Sequence, residues 1–232
     1  RLLLTGFVPG WGIDMLAKGY LAVDFFFMLS GFVIGYNYCG KFMAQGLRAS
    51  GPFLWRRFTR IWPLHAAILV AMIAFALILV ATERDHSAYP FQELPLHFLL
   101  MQNWGFTREL SWNYPAWSIS TEAGAYLLFP LFVVLVRPER RGTATLLAGV
   151  IALMAALYTV FRMAGWHGLG EDISGLGLFR CVTQFAVGVI LCVLWQRWKG
   201  GRRCCASVAL VLAIVVLATG LGAGLPETAF VP

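Results

Sequence analysis

Three ionisable residues interrupt long apolar runs in this sequence: Asp24 within GYLAVDFFFMLSGFVIGYNY, Glu122 within AWSISTEAGAYLLFPLFVVLV, and Arg180 within LFRCVTQFAVGVILCVLW. A charge at the centre of a membrane helix costs about 2.5 to 3.5 kcal/mol on insertion scales, so it survives where it is paired or wetted and marks a functional site by default. Two carboxylates and a guanidinium can take up a proton, orient a base or balance charge that develops on a substrate. The alternative is an Asp24–Arg180 or Glu122–Arg180 ion pair that only fixes helix packing.

A second group sits in FLWRRFTRIWPLH, Phe53 to His65. Arg57 and Arg60 are three apart and share a helix face, with Arg56 beside them, and the planar fork of arginine suits phosphate. Such a face could grip a polyphosphate, or it could serve only to orient the chain against lipid headgroups. His65 could act on chemistry or hydrogen-bond a carbonyl.

The elements that must position these residues follow from composition. The chain has 232 residues, 59% hydrophobic and 12% charged, with a mean hydropathy of +0.74; soluble domains are about 25% charged. An integral membrane protein is implied. Windows of roughly 20 apolar residues suit transmembrane helices. Six such windows are found: Gly19–Tyr38, Ile61–Ala81, Ala116–Val136, Thr143–Met163, Leu178–Trp195 and Cys204–Leu225. The expected fold is all-α, a polytopic helix bundle forming one domain over 1–232, with no room for a soluble second domain.

Twelve of the 18 Lys and Arg fall in the loops at 39–60, 137–142 and 196–203, which the positive-inside rule makes cytoplasmic. The net charge of +7 is then a topology signal and no mark of nucleic-acid binding. On this scheme Asp24 lies about five residues and Glu122 about six from the outer ends of their spans, roughly 8 to 9 Å deep, and Arg180 about two. All three are expected to share an outward-facing polar cavity. Leu94–Trp104 is apolar but too short to span, and is expected to lie in the interface or to dip in and return. It belongs to the longest connection, Thr82–Pro115, and loops of that size are more often functional than idle. The five cysteines show no C-x-x-C pair, so neither a disulfide framework nor a metal site is expected.

Three stretches, GYLAVDFFFMLSGFVIG, FLWRRFTRIWPLH and NYPAWSISTEAGAYLLFP, resemble in order and spacing the successive signatures of the acyltransferase 3 family, and GLFRCVTQFAVGVIL resembles its later Arg-to-Phe-x-x-Gly segment. The match runs from about Gly19 to Leu191. The resemblance implies a membrane O-acyltransferase of about ten spans, typically in the bacterial inner membrane. It would use acetyl-coenzyme A or another acyl-coenzyme A as co-substrate, with no tightly bound cofactor, and a carbohydrate or lipid-linked glycan as acceptor.

It further implies roles. Arg57 and Arg60, with Arg56, would bind the donor phosphates; Asp24, Glu122 and Arg180 would form the catalytic group; Ser30, Trp117 and Ser118 would line the substrate site. Such a family member begins with a helix carrying an arginine and, about ten residues later, a histidine. No histidine precedes His65 here, so the chain is expected to be a piece lacking the first helix and the last spans.

Two other readings compete. A transporter of acylated or sugar-linked molecules would also place charges in the membrane, though no duplicated half is visible. A catalytically inactive fragment that binds partner helices is the other. The run HGLGED, His167 to Asp172, fits an H-x-x-x-x-D acyltransferase pattern, but two fixed residues are a weak signal. Cys204 and Cys205 lie at a cytoplasmic membrane edge where S-acylation is possible, and packing is the simpler role.

Overall fold

A computed structural model describes residues 21–166 and 168–198. Five long helices make the bundle: α1 (Leu21–Gln45), α2 (Ser50–Ala81), α4 (Trp117–Val136), α5 (Thr143–Met163) and α6 (Ile173–Trp198), with one short helix, α3 (Leu94–Phe98), between α2 and α4. No strand occurs among the described residues. Four helical stretches are long and apolar enough to cross a membrane: Leu21–Ala81, Tyr114–Arg140, Thr143–Met163 and Ile173–Trp198. The first of these is α1 and α2 joined by a single 3-10 turn, Gly46–Ala49. Gly46 there has φ +61, a conformation that glycine adopts without cost, and the chain folds back: Tyr38 and Phe42 of α1 both meet Phe53 of α2.

Among the described residues the first five expected spans lie on helices, and their ends differ. The fourth coincides with α5. From Leu21 on the first, and the whole of the second and fifth, are parts of longer helices, so most of the segment 39–60, expected as a loop, is helical. Charge removes a residue from an apolar window without removing it from a helix, since Arg and Lys are good helix formers. The span Cys204–Leu225 lies outside the described residues.

Contacts give the helix directions. Phe27 meets Trp117, Ser30 meets Glu122 and Phe42 meets Phe129, so α1 and α4 run parallel. A side chain on Gly31 would run into the Phe185 backbone, and Phe32 and Tyr36 meet Trp195, so α6 is parallel to both. By contrast α5 packs the start of its run, Leu146, on Ile190, Val193 and Leu194, and its end, Phe161, beside Leu169 before α6; it runs the other way. This is the alternation that successive membrane spans require, for the five long helices described. It also answers for Leu94–Trp104: with α2 the one returning helix between the parallel α1 and α4, that segment does not cross.

Bulk decides how close α1 and α6 come. A Cβ on Gly31 would overlap the Phe185 carbonyl, one on Gly188 the Met28 carbonyl, and Gly35 faces Val189 and Cys192. Gly31 and Gly35 form a G-x-x-x-G pair, which lets two backbones touch where lipid offers no hydrophobic drive between helices. Below that contact Tyr38, Phe42, Phe53, Tyr126, Phe129 and Phe185 form edge-to-face pairs that tie four helices together; each such pair adds about 0.5 to 1.5 kcal/mol beyond area burial. Large apolar side chains such as Phe25, Leu64, Ile78 and Leu135 point outward, as a lipid-facing surface requires.

Candidate active site

The three intramembrane charges fall into two groups. Asp24 near the start of α1 and Arg180 near the start of α6 form a bidentate pair, Nε to Oδ1 and Nη2 to Oδ2 both at 2.5 Å. Both residues are 0% exposed. The third arm, Nη1, donates to the Leu169 carbonyl at 2.7 Å. Trp117 lays its ring 5.8 Å from the guanidinium carbon, the distance of a cation–π contact. All three guanidinium nitrogens thus donate a hydrogen bond, as a buried charge demands.

Glu122 is not a partner of Arg180. One and a half turns deeper than Asp24, the Ser30 hydroxyl donates to Glu122 Oε1 at 2.5 Å, and the Tyr126 hydroxyl donates to the same oxygen at 2.6 Å. Cys181 lies within electrostatic reach of both groups, so they are neighbours along the helix axes. Trp117 belongs to the first group. Ser118 joins neither: its hydroxyl donates to the Pro115 carbonyl at 3.1 Å, within its own helix start.

At the far end of the same helices Arg57 is half-buried, its Nη2 donating to the Tyr38 hydroxyl at 3.5 Å and its guanidinium over the Tyr38 ring at 5.5 Å. Lys41 lies 4.9 Å from that ring. Arg56 and Arg60 are exposed. Among the described residues no carboxylate pairs with any of these four cations, so the cluster is fit to receive an anion. Arg57 also lies within electrostatic reach of the Tyr126 hydroxyl. The cation cluster and the Glu122 group thus lie on the two sides of Phe53, whose ring meets both Tyr38 and Tyr126.

The long connection folds over the other end of the bundle. Ser120 of α4 accepts from the Asn103 amide at 3.1 Å and donates to the Leu100 carbonyl at 2.9 Å. Trp104 donates to the Ser120 carbonyl, and Asn103 to the Ile173 carbonyl, both at 2.9 Å. Leu100 is held at φ +57 and Trp112 at φ +54, positions that non-glycine residues keep only where surrounding contacts fix them. His65 takes the simpler of its two readings, its Nε2 donating to the His97 carbonyl at 2.8 Å. Asp172 does likewise: its carboxylate accepts from the Gly175 amide at 2.7 Å and caps α6. Its former partner in the motif, His167, lies outside the described residues, as do Cys204 and Cys205.

Within this cover, sequence reasoning missed a chain of three. Ser111 donates its one proton to Glu93 Oε2 at 2.5 Å, so His97 Nε2, 3.0 Å from the serine oxygen, is the donor to it. Burial, with His65 as the second cause, pushes the His97 imidazole down from 6.5 to about 4. Between those values the unfolded chain binds the proton and the folded chain does not. The stability linked to His97 is therefore intact above pH 6.5 and is lost as pH falls toward 4. In detergent the protein is expected to lose on the order of 2 kcal/mol between about pH 7 and about pH 4.5 through this residue. Comparing melting against pH for the wild type and His97→Gln checks it: equal slopes would remove His97 as the cause.

Comparison with known proteins supplies the remaining observation. A family model described as an acyltransferase domain matches residues 3–231. An acyltransferase named MdmB from Streptomyces mycarofaciens is 31% identical over 219 residues, covering 87% of this chain and 53% of that protein. Protein 2 in the picA locus of Rhizobium radiobacter is 48% identical over 59 residues, 25% of this chain and 30% of that protein. The chain thus spans about half of the first relative and less than a third of the second. No solved structure gives a significant match.

Proposed function

The chain belongs to this acyltransferase family, and from that premise we propose that the membrane protein it forms part of moves an acyl group from acyl-coenzyme A to a hydroxyl of a carbohydrate or lipid-linked glycan. The acyl group proposed is acetyl. The observation that carries the reading is the meeting of distant motifs. Ser30 and Glu122, 92 residues apart, share a hydrogen bond; Asp24 and Arg180, 156 apart, share two. A packing role alone does not call for a half-buried carboxylate held by two hydroxyls.

The chemistry requires a base for the acceptor hydroxyl and a site for the developing oxyanion. Glu122 is the carboxylate placed to orient or tune that base. The Asp24–Arg180 pair balances charge beside it. Arg57, with Arg56 and Arg60, binds the donor phosphates, which sets that end of the bundle in the cytosol and the Asp24 end toward the outside of a bacterial inner membrane. The charge excess of the loops supports the same orientation.

The test is incorporation of radiolabelled acetyl-coenzyme A into cell-envelope carbohydrate by this chain and by a version extended upstream. Label in ester linkage with the extended version supports the reading, and an Arg57→Ala, Arg60→Ala variant should then raise KM for the donor. Label that crosses the membrane without forming an ester would overturn it in favour of a carrier.

A further inference from the structure

Tyr126 lies one turn after Glu122 on α4, the spacing at which two side chains on a helix meet. Its hydroxyl donates to Glu122 Oε1 at 2.6 Å and sits 3.4 Å from the Ser30 hydroxyl, which donates to the same oxygen. Its ring is 7% exposed and wedged edge-on between Phe53 and Phe185, at 6.2 and 6.0 Å. The hydroxyl therefore has no room to follow a swinging carboxylate. Among the described residues Glu122 Oε2 receives no hydrogen bond.

We propose that Tyr126 is a positioning residue for acyl transfer: together with Ser30 it clamps Oε1 of Glu122, so that Oε2 is the oxygen presented to the reacting groups. The inference rests on the acyltransferase reading above. A carboxylate is an acceptor at both oxygens, and two hydroxyl donors on one of them fix both the χ angles and the plane of the group. A working group must be held within about 0.5 Å of its productive position by a second layer of contacts. The Phe53 and Phe185 rings supply that layer for Tyr126, and Tyr126 supplies it for Glu122.

Tyr126→Phe in the full-length protein keeps the ring in its slot and removes one donor. Expected is a fall in kcat for acetyl transfer of up to about 100-fold, the scale of an ångström's misplacement, with KM for acetyl-coenzyme A and the melting temperature in detergent unchanged. An unchanged kcat, or a loss of activity that tracks a loss of folded protein, overturns the role. A second readout needs no turnover: the infrared carboxylate bands of Glu122, isolated as the difference from Glu122→Gln, should shift in Tyr126→Phe. If the wild type transfers nothing, the acyltransferase reading fails on its own. The bands then decide the clamp, a shift supporting it and an unshifted pair overturning it.

Discussion

Asp24→Ala is expected to cost about 3 to 5 kcal/mol, a large share of the margin by which proteins stay folded. The substitution takes from the buried Arg180 guanidinium the carboxylate that binds two of its nitrogens. Lipid offers no water to replace it. Arg180→Met should cost about as much, by stranding the carboxylate. Replacing both partners by apolar residues, Asp24→Leu with Arg180→Met, should return most of the stability, because desolvation of two charges disappears with their attraction. Unfolding of these proteins in detergent, with Asp24→Leu alone added to close the cycle, measures the coupling. A single variant as stable as wild type would show that the pair is weaker than its geometry. The double variant also separates the two readings of the pair: a folded protein that still transfers acyl groups makes it a packing device, and a folded, inactive one makes it part of the reaction.

How much of this was legible beforehand depends on which physical signal carried each feature. Apolar length carried the helices, so α5 was read to the residue, while α2 was read 11 residues short at its start because Arg56, Arg57 and Arg60 looked like loop. The cost of buried charge singled out Asp24, Glu122 and Arg180. Their partners were harder, since the Asp24–Arg180 and Ser30–Glu122 contacts depend on how helices are rotated, and no spacing within one segment encodes that. Tyr126 was the exception: four residues from Glu122, it was within reach of a local rule. So was the Gly31–Gly35 pair that lets α1 approach α6. The Glu93–Ser111–His97 chain was out of reach, because it needs Leu100 and Trp112 in left-handed conformations that their residue types disfavour.

Glu122→Gln is the substitution expected to act most strongly on rate and least on structure. Glutamine has nearly the same shape and keeps a carbonyl oxygen to receive the Ser30 and Tyr126 hydroxyls, so the hydrogen bonds at 2.5 and 2.6 Å have a counterpart in the variant. What it lacks is the charge and the ability to take or tune a proton. Groups in that role contribute about 10²- to 10⁴-fold, and a loss in this range is expected in kcat for label transfer from acetyl-coenzyme A. Expression and melting in detergent should stay near wild type, since the carboxylate is only half-buried and is replaced by a neutral group that costs less to bury. This contrast with Asp24 follows from the two environments: one carboxylate is locked to a buried cation and fails by unfolding, the other is held by two hydroxyls and fails by losing chemistry. Wild-type transfer by Glu122→Gln would remove Glu122 from the reaction and leave it a packing residue, whatever the acceptor proves to be.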